Sequence, residues 1–179
     1  GGMFAPISRE GGLLLNNLLL STACVTVLLG TLYPILTDSL GMGRISVGPP
    51  YFNKVFLPLT APLVLLVGGA ATMAWKRTRA EVLISRLWGP AIIAIVAGVG
   101  LLGLTVGVHA LGAVAGCVLG LWAIATALEE LWRRTRGSRW MLSRQIVGMA
   151  LAHIGVGIFV IGVSLVSGYG GERDARMAP

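Results

Sequence analysis

Charge is what this sequence has least of. Of its 179 residues, 12% are Asp, Glu, Lys or Arg and 55% are hydrophobic, against roughly 25% charged in an ordinary soluble domain. With a mean hydropathy of +0.84, the chain has too little polar surface to cover itself in water, although its length would suit one soluble domain. Carboxylates number seven, each at or outside the end of an apolar run. Proton-pumping and ion-coupled transporters usually keep such groups within the membrane, which counts against that class. Cysteine is limited to Cys24 and Cys117, far apart and in no CxxC pair, so the chain itself supplies neither a dithiol redox centre nor a zinc site. Both read as small packing residues. There is no Gly-rich phosphate loop, no Ser/His/Asp set, no internal repeat and no low-complexity tract. The opening Gly1-Gly2-Met3-Phe4 carries neither a basic n-region nor a cleavage site, and reads like the middle of something longer.

What is present is long apolar sequence. Uncharged stretches cover residues 11–37, 55–75, 87–128 and 145–171. A bilayer core of roughly 30 Å needs about 20 apolar residues per helical crossing. The third stretch, extended as one helix, would span roughly twice that thickness, so it must turn back, and His109-Ala110-Leu111-Gly112 is the expected turn. The reading is an all-α, polytopic transmembrane helical bundle. Its five helices fall near 12–36, 55–75, 89–108, 112–131 and 146–168, in a single transmembrane domain over 1–179.

The net charge of +7 does not indicate nucleic-acid binding, since the basic residues lie between apolar runs and form no soluble face. They set topology instead. With five alternating helices, Arg9, Lys76, Arg77, Arg79, Arg86, Arg133, Arg134, Arg136, Arg139 and Arg144 share one side. Only Arg44, Lys54, Arg173 and Arg176 take the other. The richer side is expected to be cytoplasmic, which puts the N-terminus inside and the C-terminus outside. Trp75, Trp88, Trp132 and Trp140 flank the two basic connections, where an aromatic belt belongs.

Smaller features have structural readings first. Ser8 suits a helix N-cap, with Glu10 favourable in the first turn. Asn16 and Asn17 suit amide bonds across helices. Ile45 to Asn53 reads as an outer loop stiffened by Pro49 and Pro50, able to dock a partner or simply to link two helices. Pro34, Pro58 and Pro62 should kink their helices or lie near the ends. Gly98, Gly100, Gly103 and Gly107 crowd the third helix; Gly148, Gly155, Gly157 and Gly162 crowd the fifth. They point to close helix packing, or else to room for a flat cofactor.

His153 is the leading candidate for chemistry. It falls about eight residues into the fifth helix, where an ionisable group is costly unless it faces protein, water or a metal. Its same-face neighbours are Met149, Ala150, Val156 and Gly157, two of them small. Neutral imidazole is a standard axial ligand of haem iron; a hydrogen bond to a neighbouring helix is the plainer alternative. A small transporter or channel subunit with His153 lining the pathway, and an inert helical scaffold, are competing readings of the whole chain. His109, at the outer turn, suits the interface without a ligand role.

Longer strings are informative beyond composition. Phe4-Ala5-Pro6-Ile7-Ser8-Arg9-Glu10-Gly11, running into Leu15-Asn16-Asn17-Leu18, resembles a segment of the CcmF family. So do Gly30-Thr31-Leu32-Tyr33-Pro34, Ile45 to Asn53, Leu151-Ala152-His153-Ile154-Gly155, and the tail Glu172-Arg173-Asp174-Ala175-Arg176-Met177. The matches keep their order over nearly the whole chain and are poor between about 76 and 145.

The resemblance implies a membrane subunit of a cytochrome c haem lyase in the bacterial inner membrane, with the nitrite-reductase haem-lyase subunits as close kin. It implies partners: the other maturation subunits, a periplasmic haem chaperone and the apocytochrome c whose CxxCH thiols receive haem. It also implies haem b held between two transmembrane histidines, of which His153 matches one by motif position, so that His153 is the expected metal-binding and cofactor-binding residue. The second axial ligand has no counterpart in this chain. Neither do the tryptophan-rich periplasmic segment, the two periplasmic haem-binding histidines and the large periplasmic domain. The expectation is an internal or truncated piece, not a catalytically complete enzyme.

Overall fold

A computed structural model of the chain describes residues 7–43, 47–70, 72–103, 111–137 and 143–169. They form five helices, α1 (Arg9–Ser39), α2 (Pro49–Ala70), α3 (Ala80–Gly103), α4 (Leu111–Gly137) and α5 (Arg144–Tyr169); no strand occurs among the described residues. The all-helical reading and the count of five agree with this. Four helices contain segments long and apolar enough to cross a membrane: Arg9–Ser39, Ala80–Leu101, Leu111–Arg136 and Arg144–Tyr169. The remaining helix, α2, contributes a shorter apolar stretch, Leu57–Ala70.

Several boundaries differ from the sequence expectation, each for a local reason. Pro49 and Pro50 belong to the first turn of α2 and not to a loop; a proline at the start of a helix lacks only an N–H that would be unsatisfied there anyway. α2 stops at Ala70, short of Trp75. After Gly68-Gly69 the chain tightens into i→i+3 turns, with Thr72 N donating to Gly69 O at 3.2 Å and Met73 N to Ala70 O at 3.2 Å. α3 begins at Ala80, well before 89, with Glu81 in its first turn and Pro90 carried inside it, as Pro34 is in α1 and Pro58 and Pro62 are in α2. Of the turn expected at His109-Ala110-Leu111-Gly112, Leu111 and Gly112 already belong to α4, while His109 and Ala110 lie outside the described residues.

The chain divides into two compact units, Gly1–Trp88 and Gly89–Pro179. In the first, α1 packs antiparallel on α2. Gly12 lies against Ala70 Cβ and Met73 Sδ, and the Tyr51 hydroxyl meets the Thr26 carbonyl at 3.4 Å. The buried face of α1 carries Ala23, Gly30 and Thr37 at seven-residue spacing, the period of near-antiparallel helix packing. Ser8 caps α1, its Oγ accepting from Gly11 N at 3.0 Å. At the other end Gly41 takes φ +68, Met42 N donates to Thr37 O at 3.0 Å and Gly41 N to Asp38 O at 3.2 Å. This is a Schellman stop, which favours glycine at the left-handed position.

The start of α1 is tied to the connection between α2 and α3. Arg9 N donates to Ala74 O at 3.0 Å and Thr78 N to Ile7 O at 2.8 Å. Glu10 Oε2 accepts from Lys76 N at 2.9 Å, and the Arg9 guanidinium stacks 5.1 Å from the Trp75 ring. The clamp leaves Lys76 at φ +62. Asn16 is half-buried and Asn17 exposed, and among the described residues neither amide has a cross-helix partner.

In the second unit α4 and α5 form the main seam. α5 buries Ala150, Gly157 and Ser164, again seven apart, and Ala113 and fully buried Cys117 of α4 form a core with Val114, Ile161 and Leu165. Cys117 is thus a packing residue; Cys24 instead lies exposed on α1.

Candidate functional site

The site is built on α5. Nine residues separate His153 from Arg144, the first residue of the helix, which places the imidazole about 13 Å along its axis. The ring's position around that axis follows from the seam. Gly120 opposes Ile161 and Gly157, Gly116 opposes Ser164, and Gly168 opposes Ala113 Cβ. That antiparallel register extends to Ala127 and Leu128 at the level of His153. Three residues after Ala150 and four before Gly157, His153 shares their face of α5, and its half-burial puts it at the edge of the seam. It lies between buried Ala150 and Gly157 and exposed Leu151 and Val156.

The two small neighbours serve packing. A Cβ on Gly157 would come within 2.5 Å of Ile124 Cγ1 and 2.6 Å of the Gly120 carbonyl oxygen. Their surface is spent against α4, and the neighbours of His153 further from the seam are Met149, Val156 and Val160. Among the described residues no hydrogen-bond or ion-pair partner of His153 occurs. Nor do three or more His, Cys, Asp or Glu side chains gather as a metal-binding group among them. What the arrangement offers an iron centre is one nitrogen donor on a rigid helix. Neutral imidazole fits that role chemically.

Sequence reasoning missed two further features. Glu129 and Glu130 do not end α4 but lie seven or eight residues inside it. Arg133 Nε donates to Glu129 Oε1 at 2.9 Å, and Arg134 Nε to Glu130 Oε1 at 2.6 Å. Both pairs are i,i+4 with Glu first, the favourable order, a spacing visible in Glu129-Glu130-Leu131-Trp132-Arg133-Arg134. The second feature is an apolar cleft of about 400 Å³ between α3 and α4, with Pro90 and Ile93 on one wall and Ala125 and Leu128 on the other. His153 is not among its lining residues. Of the four tryptophans assigned to an aromatic belt, Trp75, Trp88 and Trp132 are exposed; Trp140 lies outside the described residues.

No family model matches the chain. Individual relatives do. The cytochrome c-type biogenesis protein CycK of Rhizobium meliloti is 40% identical, over all of this chain and 28% of its own length. CcmF of Pseudomonas aeruginosa is 39% identical over 98% of this chain and 27% of its own length. The biogenesis protein NrfE of Haemophilus influenzae is 34% identical over 98% and 27%. Among solved structures, the cytochrome c haem lyase CcmF superposes with a TM-score of 0.72 at 33% identity, covering 92% of this chain and 26% of that one. The chain therefore spans little more than a quarter of the length of the relatives it matches. Sequence likeness along essentially the whole chain and a shared helical fold lead to one assignment: this chain belongs to the CcmF family of cytochrome c-type biogenesis proteins.

Proposed function

We propose that the chain forms part of the membrane body of a cytochrome c haem-lyase subunit and that His153 is one axial ligand of a b-type haem, the second ligand coming from outside this chain. The observation that carries the reading is the His153 imidazole. It is half-buried on an apolar helix, without a proton-sharing partner among the described residues, at the position that matches a haem-ligating motif of the family. A haem bound there would supply one-electron chemistry able to keep a substrate haem iron reduced. The chain's own contribution is positional. Ala150 and Gly157 lock α5 against α4 on either side of the ligand, so the imidazole is held in place. Met149, Val156 and Val160 make the neighbouring surface of α5 apolar, suited to the face of a porphyrin.

The same reading assigns the protein to a bacterial inner membrane, with five crossings, the N-terminus cytoplasmic and the C-terminus periplasmic. Its partners are other maturation subunits, a haem chaperone and an apocytochrome c. In the full-length protein, His153→Ala should abolish the reduced b-type absorbance bands and haem content, while His109→Ala retains both. Normal haem content in His153→Ala overturns the ligand assignment.

A further inference from the structure

The cleft beside α4 has a shape and an electrostatic mouth that the lyase reading does not use. Gly98 and Val118 hold α3 and α4 together at one close point, where a Cβ on Gly98 would fall 2.6 Å from Val118 Cγ2. Beyond that point a cleft of about 400 Å³ lies between Pro90 and Ile93 of α3 and residues from Leu121 to Trp132 of α4. Its walls are almost wholly apolar. In water such a slot would favour any apolar ligand; in a bilayer the abundant occupant is an acyl chain.

The mouth selects the headgroup. Glu129 lines that end and is neutralised by Arg133, while Glu130 is neutralised by Arg134. Among the described residues of this turn Arg136 is the cation without a carboxylate partner, its guanidinium stacked 3.8 Å from the centroid of Trp132, itself a lining residue. Among the described residues the turn therefore bears a net positive charge, carried by an exposed guanidinium held over the cleft's aromatic edge. A guanidinium pairs well with a phosphate, and basic groups at the membrane surface attract anionic lipid.

We propose that the α3–α4 cleft is a binding site for one anionic phospholipid, with an acyl chain along Ile93, Ala125 and Leu128 and the headgroup phosphate on Arg136. The proposal does not depend on haem. The test uses the full-length protein in nanodiscs of phosphatidylglycerol mixed equally with phosphatidylcholine, followed by detergent extraction, native mass spectrometry and photo-crosslinking with a phosphatidylglycerol carrying a photoactivatable acyl chain. One phosphatidylglycerol per protein should survive extraction, with crosslinks on the α3 and α4 peptides. Arg136→Gln should lower its retention at least tenfold relative to phosphatidylcholine. Ala125→Phe, which fills the cleft, should remove the crosslink while helicity and elution volume stay unchanged. Equal retention of the two lipids, crosslinks confined to other helices, or a polypeptide segment of the full-length protein occupying the cleft each overturn the proposal.

Discussion

Gly120 and Gly157 face each other across the α4–α5 seam so closely that a Cβ on either would approach the other's carbonyl oxygen, to 2.7 Å and 2.6 Å. Real side chains do not tolerate such contacts, so this pair sets how near the two helix backbones come. Gly157→Val should force the helices apart, at a cost of about 1–3 kcal/mol from overpacking. Gly155→Ala, two residues away with nothing within 4 Å of its added Cβ, should be neutral to slightly stabilising, since alanine is the better helix former. Thermal unfolding of the full-length protein in detergent separates the two. Because Gly157 lies one turn from His153, Gly157→Val should also weaken haem retention, whereas Gly155→Ala should not.

Membrane topology gives a second expectation. In a variant lacking Cys24 and Cys117, a cysteine at Met42 should react with an impermeant maleimide in intact spheroplasts, and one at Lys76 only after lysis. Both positions are exposed. The opposite pattern would invert the orientation read from ten basic residues against four.

Which parts of this architecture the sequence announces depends on whether the signal is additive or positional. Apolar length is additive: α1, α4 and α5 appear within a few residues of where the uncharged stretches place them, apart from the C-terminal end of α4. That end ran past Glu129 and Glu130 because each carboxylate finds an arginine four residues on, so charge did not end the helix. α2 began early because Pro49 and Pro50 serve as a helix start as readily as a loop. Glycine was ambiguous for a geometric reason. Gly148, Gly155 and Gly162 repeat every seven residues just as Ala150, Gly157 and Ser164 do, and only the partner helix decides which stripe is buried. His153 stood out because a lone imidazole in an apolar helix is costly. That the small residues beside it serve packing required the register with α4.

The clamp at the start of α1 yields a third prediction. Lys76 holds φ +62, a conformation costing a non-glycine residue roughly 1–2 kcal/mol, and its N–H is the donor to Glu10 Oε2. Lys76→Gly should relieve that strain, so stability should hold or rise. Glu10→Ala removes the acceptor and should speed hydrogen exchange at the Lys76 amide, while Glu10→Gln, which keeps an acceptor oxygen, should exchange more nearly as the parent does. Amide exchange read by mass spectrometry on peptides covering 72–80 resolves the three variants. Exchange at Lys76 unaltered in Glu10→Ala would mean that the side chain does not hold the connection.

The two ion pairs of α4 differ in how far the carboxylate is buried, and that difference fixes the last expectation. The Glu130 side chain is 10% exposed, with Arg134 Nε at 2.6 Å, although Arg134 itself is 45% exposed; the side chains of Glu129 and Arg133 are 27% and 32% exposed. Water screens the second pair, and such exposed pairs are worth about 0–1 kcal/mol. Removing Arg134 leaves a buried carboxylate without its donor, a loss of about 1–3 kcal/mol by the cost of stranding a buried polar group. Arg134→Ala should therefore lower the unfolding temperature of the full-length protein more than Glu129→Gln does. Adding Glu130→Gln to Arg134→Ala should recover part of the loss, because the neutral amide carries a smaller desolvation penalty. A double variant no more stable than Arg134→Ala alone would show that the cost lies in lost packing of the arginine stem, not in the stranded charge.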